Sequence, residues 1–539
     1  MTRISISEVR ASFNQLQYQV SKLESLTFFK ASHSIGSSKL RSAASRVNTP
    51  LPFKPFIDLI EKSLNVSFPT NLVFTPEEVR KRDVDQIAAY QVDFDALPNI
   101  NFNYFLIASI SAYKSLGLDR QDVFYLTSVE QSAASYVKST SAGYPTFRKK
   151  GSDAAIKDAT SFTNSFISSP SLSKIMKGCP CAVFHRYQYN IPVSETPKST
   201  APVYNKEVIQ DGLSNIVKKS RQVWGESFRY LTLTAVYFRS FVDETTIWNR
   251  QQEVPTTTYG LTKSEISERI IRRLRSTKRD IISVDFSKFD STVPRIFHIM
   301  FYALHLAHHS YMLCPKIISL ITVHSIRTPF CYGSSELNFH KRGIASGELL
   351  TSLFGSFVNK TIINLAYLEV TNGKQTAESD AVSLGDDLTY LSGIVSLNHF
   401  RSLCTRLGMN VDLESCYTCH FDEPFPFLGY IWDRENRPTQ LVQWYIAHFV
   451  IPSGFIRNRA LPIKLLQTYR AISIAMQLYH GMDIYDKLIG YGDTVYKDIL
   501  YEYKLNGKDP IIFYEGPDSR QVGIGFPLST IFSIGWEAF

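Results

Sequence analysis

No stretch of this 539-residue chain reaches the roughly 18 to 20 consecutive apolar residues that a membrane-spanning helix needs, because Asp, Lys, Arg or His interrupts every candidate. A transmembrane segment is therefore not expected. Cysteine is scarce: seven residues, an odd number scattered along a large chain with no secretory signal, suit reduced thiols in a cytosolic compartment rather than a disulfide framework. Repeats at solenoid periods are missing, which excludes stacked-repeat architectures. Residues 31 to 50 contain no acid, only a Ser-rich and basic stretch that reads as an extended strap. The Ser- and Arg-rich N-terminus has some features of a transit peptide, but Glu8 and Glu24 break that pattern, so it is expected to belong to the folded protein.

What is present is a folding composition. Hydrophobic residues make up 44% of the chain, with 36 Phe and 29 Tyr, while the charged fraction of 20% is ordinary. The length exceeds what one core usually serves, so several subdomains around a common centre are expected. A net charge of +9 suits a polyanionic partner, although so modest an excess also fits a plain soluble protein. Two basic clusters stand out, Arg148 to Lys150 and Lys218, Lys219 and Arg221, on a surface that could track a phosphate backbone.

From residue 281 the pattern sharpens. IISV ends in Asp285 and is followed by a helix-like IFHIMFYALHLAHHSYML, giving strand, loop and helix. GIASGELLTSLFGSFVNKTIINLAY, residues 343 to 367, reads as a Gly-containing loop feeding a long helix. AVSLGDDLTYLS offers two short strands joined at GDD. Alone, GDD is ordinary hairpin chemistry, and DFSKFD at Asp285 to Asp290 is a loop acid followed by a helix cap. Together they bring carboxylates to two strand ends, which is what nucleotidyl transfer with two divalent metals about 3.5 to 4 Å apart requires. Between them Thr351, Gly355 and Asn359 recur every four residues, so they share one helix face, and polar Thr and Asn beside Gly suggest a face that receives a ligand.

These motifs resemble, in sequence order, those of the viral RNA-dependent RNA polymerases. DFSKFD, SGELLTSLFGSFVN and SLGDD resemble the family's three palm motifs. TSAGYP at Thr140 to Pro145 is similar to the fingers motif that guides the template, KSRQV at Lys219 to Val223 to the basic motif over the triphosphate, and FPFLGYIW to the strand pair gripping the primer. The spelling DFSKFDSTV, the length and a reading frame opening at Met1 look most similar to partitivirus polymerases, with picobirnaviruses close.

The resemblance implies an α+β right-hand fold with an antiparallel palm sheet flanked by helices. Its expected divisions are strap and fingers over 1–264, palm over 265–312 and 343–437, a fingers insertion over 313–342, and thumb and tail over 438–539. It implies that Asp285 and Asp386, supported by Asp387, bind two Mg²⁺ or Mn²⁺ ions. Asp290, Ser346 and Asn359 would read the ribose 2′-hydroxyl, with Thr351 helping to position them. Lys219 and Arg221 would hold the triphosphate, and Thr140, Ser141, Ala142, Gly143, Tyr144 and Pro145 would guide the template. RNA template and product and NTPs are the implied partners, with a capsid protein in the virion interior or host cytoplasm and no membrane. The chain departs from the family's pattern in one place: no Lys occurs between Asp386 and Phe427, where a proton donor to pyrophosphate is expected, and the general acid stays unassigned, with His420 the nearest donor.

Other readings are weaker. A reverse transcriptase would crowd the 2′ position with an aromatic residue, whereas Asp290 stands there. A non-catalytic RNA-binding, capsid-associated protein would have lost a metal carboxylate, and a two-metal nuclease explains neither the SG loop nor the basic motif. The string CYTCH at Cys416 to His420 matches haem attachment only in exported proteins, and a zinc site there would lack a clear fourth ligand, Cys404 being a bare candidate. Cys179 and Cys181 are too close together for finger spacing, and His308 and His309 read as packing residues. The aromatic tail from residue 523 could be core, plug or anchor.

Overall fold

The computed structural model describes residues 5–33, most of 75–190, 210–332 and 336–439, with short pieces between 57 and 69 and strands at 511–513 and 521–523. Nearly all of the expected strap, and nearly all of the thumb and tail expected over 438–539, lie outside the described residues.

The first helix, Ile6–Glu24, starts at a capping box in which the Ser5 hydroxyl accepts from the Glu8 N–H and the Glu8 carboxylate accepts from the Ser5 N–H. Val9, Phe13, Leu16 and Val20 form its buried stripe. That stripe docks on the helices Arg295–His309 and Pro315–Ile326, and Glu24 closes the contact through ion pairs to Arg295 and Arg327. The two N-terminal acids that argue against a transit peptide are thus a helix cap and a tether.

Along the chain the strands are β1 (Cys181–Asn190), β2 (Val217–Gly225), β3 (Ile281–Val284), β4 (Phe286–Ser287), β5 (Pro329–Cys331), β6 (Asn338–Phe339), β7 (Ala381–Leu384), β8 (Asp387–Leu391), β9 (Asn410–Val411), β10 (Tyr417–Cys419), β11 (Phe425–Phe427) and β12 (Tyr430–Trp432). One sheet has the order β2-β1-β5-β6, the long β1–β2 hairpin running antiparallel. The central sheet has the order β10-β3-β8-β7, antiparallel throughout. All four residues of β3 are buried: Ile281, Ile282 and Val284 as β-branched apolar side chains, and Ser283 with its hydroxyl bonded to that of Thr389. The helix Thr351–Val370 is buried on nearly every side, wedged between β7 and the helices Phe102–Ser115 and Leu397–Arg406. Strand, helix and hairpin therefore stand where the apolar pattern puts them. Among the described residues no helix is long and apolar enough to cross a membrane.

Six histidines lie inside this core. His298, His305, His309 and His324 each bond a backbone carbonyl, so the bonded ring nitrogen carries the proton and donates. Burial pushes His298, His308 and His309 down to about 4, and His324 and His340 down to about 3. His308 and His309 are packing residues, the former stacked on Tyr113 with centroids 5.1 Å apart. Below pH 6.5, the ordinary value, the unfolded chain takes up protons that these folded rings refuse, so stability present above 6.5 is lost as pH falls toward 4. Each ring contributes a slope of about 1.4 kcal/mol per pH unit in that window. Thermal melts should therefore show Tm falling steadily as pH drops below about 6.5. His324→Phe, which can keep the stack on Tyr230, should flatten that fall; an unchanged acid slope in this variant would contradict the account.

Candidate active site

In the central sheet Val284 pairs with Leu388, so Asp285 extends β3 by one residue opposite Asp387. Leu384 pairs with Asp387 across the next hairpin, which leaves Gly385 and Asp386 as a two-residue loop. Gly385 takes φ +60°, the first-position conformation for which such a loop wants glycine. Asp285 and Asp386 are exposed and Asp387 is half-buried, so three carboxylates meet at one end of two neighbouring strands. The Asp285 backbone is fixed from the other side, its N–H donating to Cys416 Sγ at 3.3 Å and its carbonyl accepting from Asp412 at 2.9 Å. Burial pushes the Cys416 thiol up to about 11, so it adds no charge beside Asp285.

Among the described residues no three Asp, Glu, His or Cys side chains gather into a ready-made metal cage. A Mg²⁺-type site takes one or two carboxylates and completes its shell with substrate phosphates and water. The donors are of the right kind, hard oxygens at an exposed strand end. CYTCH supplies no such cage either: Cys419 is buried on β10 and Cys416 is engaged with Asp285.

The stripe that begins at Thr351 brings Gly355 and Asn359 against the GDD hairpin. A Cβ at Gly355 would lie 3.0 Å from the Gly385 Cα, so glycine allows the helix to touch the loop. Asn359 is fully buried, and its Nδ2 donates to the Gly385 carbonyl at 2.8 Å. Asn359, expected to read a ribose, holds the turn that carries Asp386. Ser356, overlooked in the sequence, accepts the Gly385 N–H at 3.0 Å. The Thr351 hydroxyl donates to the carbonyls of Ala345, at 3.0 Å, and Glu348, at 2.9 Å, tying the SG loop to its helix.

That loop joins three parts of the chain. Asp290 accepts the Ile344 N–H on its backbone carbonyl at 2.6 Å, which brings it beside the loop. Ser346 Oγ accepts the Trp224 N–H at the end of β2 at 3.1 Å. Gly347 sits against the same residue so closely that a Cβ would fall 1.9 Å from the Trp224 carbonyl. Just beyond β2, the Phe228 N–H donates to the Ala142 carbonyl at 2.9 Å and the Ser227 hydroxyl to that of Tyr144 at 2.6 Å. The segment Thr140 to Pro145 is thereby docked on the β2 end, with Gly143 at φ +62°. Lys219 and Arg221 stand on β2 opposite Gln188 and Arg186, but their side chains lie outside the described residues.

Under this junction Glu226 and Glu348 face each other. The Glu348 backbone belongs to a partly exposed loop, yet its Oε1 and both Glu226 oxygens are buried without hydrogen-bond partners. Burial raises both carboxyls, and Glu226 raises that of Glu348 further, so the pair holds a proton at neutral pH. No spacing rule marks either residue, since they are far apart in sequence.

His420 stands at the wrong end of the sheet for a general acid. Cys419 pairs with Ile281, so His420 is level with Asp280, five residues or roughly 17 Å along β3 from Asp285. It is exposed and bonded to Asp422, which raises its pKa. Lys360 is buried and bonds the Ala381 carbonyl, also at the far end of its strand from Asp386. FPFLGYIW forms the β11–β12 hairpin, turning through Leu428 at φ +58° and Gly429 at φ +70°.

Comparison with known proteins comes from two directions. The family profile of the viral RNA-dependent RNA polymerases matches residues 76–491. Among solved structures, the RNA-dependent RNA polymerase of a human picobirnavirus is similar at TM-score 0.58 and 16% identity, over 86% of this chain and 88% of that one. Its insertion-loop deletion mutant is similar at TM-score 0.55 and 15% identity, over 91% and 89%. At such identities these likenesses establish the right-hand α+β fold. No curated protein sequence matches the chain.

The glycines separate close approach from backbone conformation. Gly347→Ala should lower stability by about 1 to 3 kcal/mol through collision with a backbone carbonyl. Gly385→Ala, with open space around its Cβ, should cost only the left-handed conformation, about 1 kcal/mol. Thermal melts of the two variants test this, and a smaller loss at Gly347 would contradict the close contact.

Proposed function

Given that the chain belongs to the viral RNA-dependent RNA polymerases and carries out RNA-directed RNA synthesis from NTPs on an RNA template, we propose that Asp285 and Asp386 are its metal carboxylates, with Asp387 in support. The observation that carries this is the register of β3 on β8, with Asp285 opposite Asp387 and Asp386 in the adjoining loop. Bound there, two Mg²⁺ or Mn²⁺ ions would activate the attacking 3′-hydroxyl and neutralise the triphosphate. The chain's own residues hold the substrates. Asp290 and Ser346, joined through the SG loop, read the ribose 2′-hydroxyl, because a site built to bond that group leaves polar atoms unpaired against a deoxyribose. Thr351 holds the loop to its helix. Lys219 and Arg221 neutralise the triphosphate, and Thr140 to Pro145 guide the template.

Fingers over 1–264 and 313–342, palm over 265–312 and 343–437, and thumb and tail over 438–539 are the matching divisions. A capsid protein as partner, with the virion interior or host cytoplasm as location, completes the reading by its likeness to polymerases of segmented double-stranded RNA viruses. A reverse transcriptase is disfavoured by the family and by Asp290 at the position where that enzyme needs an aromatic side chain.

Incorporation of labelled NTPs, and separately dNTPs, on single-stranded RNA with Mg²⁺ or Mn²⁺ tests the assignment. Asp285→Ala and Asp386→Ala should abolish incorporation; unchanged activity in Asp386→Ala would sink the metal assignment. Asp290→Ala should raise dNTP use relative to NTP by about tenfold or more. His420→Gln should leave the rate unchanged, and a loss there would return His420 to the list of proton donors.

A further inference from the structure

We infer that Ser356 and Asn359 are positioning residues that set the geometry of Asp386 by gripping the peptide groups on both sides of Gly385. The inference rests on reading Asp386 as a metal carboxylate. Gly385 is the most permissive link in the site: it takes φ +60°, and nothing lies within 4 Å of where its Cβ would be. Left to itself, a two-residue loop with glycine at its first position would let the next side chain wander. Two hydrogen bonds remove that freedom. Ser356 Oγ takes the N–H of Gly385 at 3.0 Å, and Asn359 Nδ2 takes its carbonyl at 2.8 Å. That carbonyl belongs to the peptide leading into Asp386, so fixing its plane fixes where the Asp386 side chain departs.

Both grips are fully committed. The Ser356 hydroxyl donates its own proton to the Ser352 carbonyl at 2.8 Å, which turns a lone pair toward Gly385. Asn359 is fully enclosed, so water cannot take over its bond. Its amide cannot be flipped either, since Oδ1 would then oppose the Gly385 carbonyl. The cost is visible: Asn359 Oδ1 is buried without a partner. An apolar residue of the same shape would avoid that orphan but would leave the Gly385 carbonyl unpaired in its place. Retaining an amide with an orphaned oxygen is expected where its donor serves the site. Gly355 supplies the clearance for both bonds.

The test uses the full chain with Ser356→Ala, Asn359→Leu and the double variant, read by Tm, kcat, KM for NTP, NTP-to-dNTP preference and the Mg²⁺ concentration for half-maximal rate. Each single variant should lower kcat about tenfold, the scale of one lost backbone hydrogen bond, and raise the Mg²⁺ requirement severalfold. KM for NTP and the ribose preference should stay within about twofold. Asn359→Leu should melt close to wild type, because the orphaned oxygen it removes offsets the Gly385 carbonyl it leaves unpaired. The double variant should lose less than the product of the singles, since both grips hold one residue. Wild-type kcat and Mg²⁺ requirement in both single variants would overturn the inference, as would a loss confined to KM or to ribose preference, which would return Asn359 to the nucleotide. Asp386→Ala, run alongside, distinguishes failure of this inference from failure of the metal reading: activity retained there would condemn the latter alone.

Discussion

The pairing of β3 with β8 is the constraint on which the rest depends. A β-strand presents alternate residues to opposite faces, so a slip of one residue would turn every side chain of β3 to the wrong side and move Asp285 away from Asp387. Several contacts guard that register. The four residues of β3 are buried, β10 pairs along its other edge, and the Asp285 backbone is bonded at both ends by Cys416 and Asp412. The carboxylates themselves would repel one another, so apolar burial and ladder hydrogen bonds must hold them together until cations and substrate arrive.

Around that pair, the site is assembled by backbone contacts more than by side chains. The SG loop reaches Trp224 through a hydroxyl and a glycine, and reaches Asp290 through a peptide hydrogen bond. The template-type loop reaches the residues after β2 in the same way. Such contacts need small residues at the crossing points, because a Cβ at Gly347 or Gly355 would meet main-chain atoms. They also bring polar groups inside. The Glu226 and Glu348 pair and the core histidines are kept neutral by burial, which keeps the junction free of unpaired charge at neutral pH.

Much of this was legible in the residues. IISV is a mainly apolar, β-branched run of strand length, and AVSLGDDLTYLS carries a glycine at the tight position between two short strands. The helix after the SG loop is rich in apolar residues around its circumference, as a core helix should be. Patterns of this kind are local, and they survive folding because each element buries the face that its own sequence supplies. The Thr351, Gly355 and Asn359 stripe was legible as a special face but not as to its partner. Periodicity says which residues share a side of a helix, and nothing in it distinguishes a bound nucleotide from a neighbouring turn. Ser356 carried no signal at all, since a serine in a helix is ordinary.

The sequence by itself determined the kind of chemistry: hard carboxylates at two strand ends, a small-residue loop between them, and basic motifs upstream, in the order of a known polymerase family. Tertiary structure decided which of those residues stand at the exposed strand ends and which pack beneath them. Asn359 became a grip on Gly385 and His420 fell at the far end of the sheet, because both outcomes depend on strand register and helix approach. Those are distances between residues remote in the chain. Glu226 and Glu348 lie still further from prediction, since a buried acid pair exists only when two loops meet, and no local pattern records that meeting.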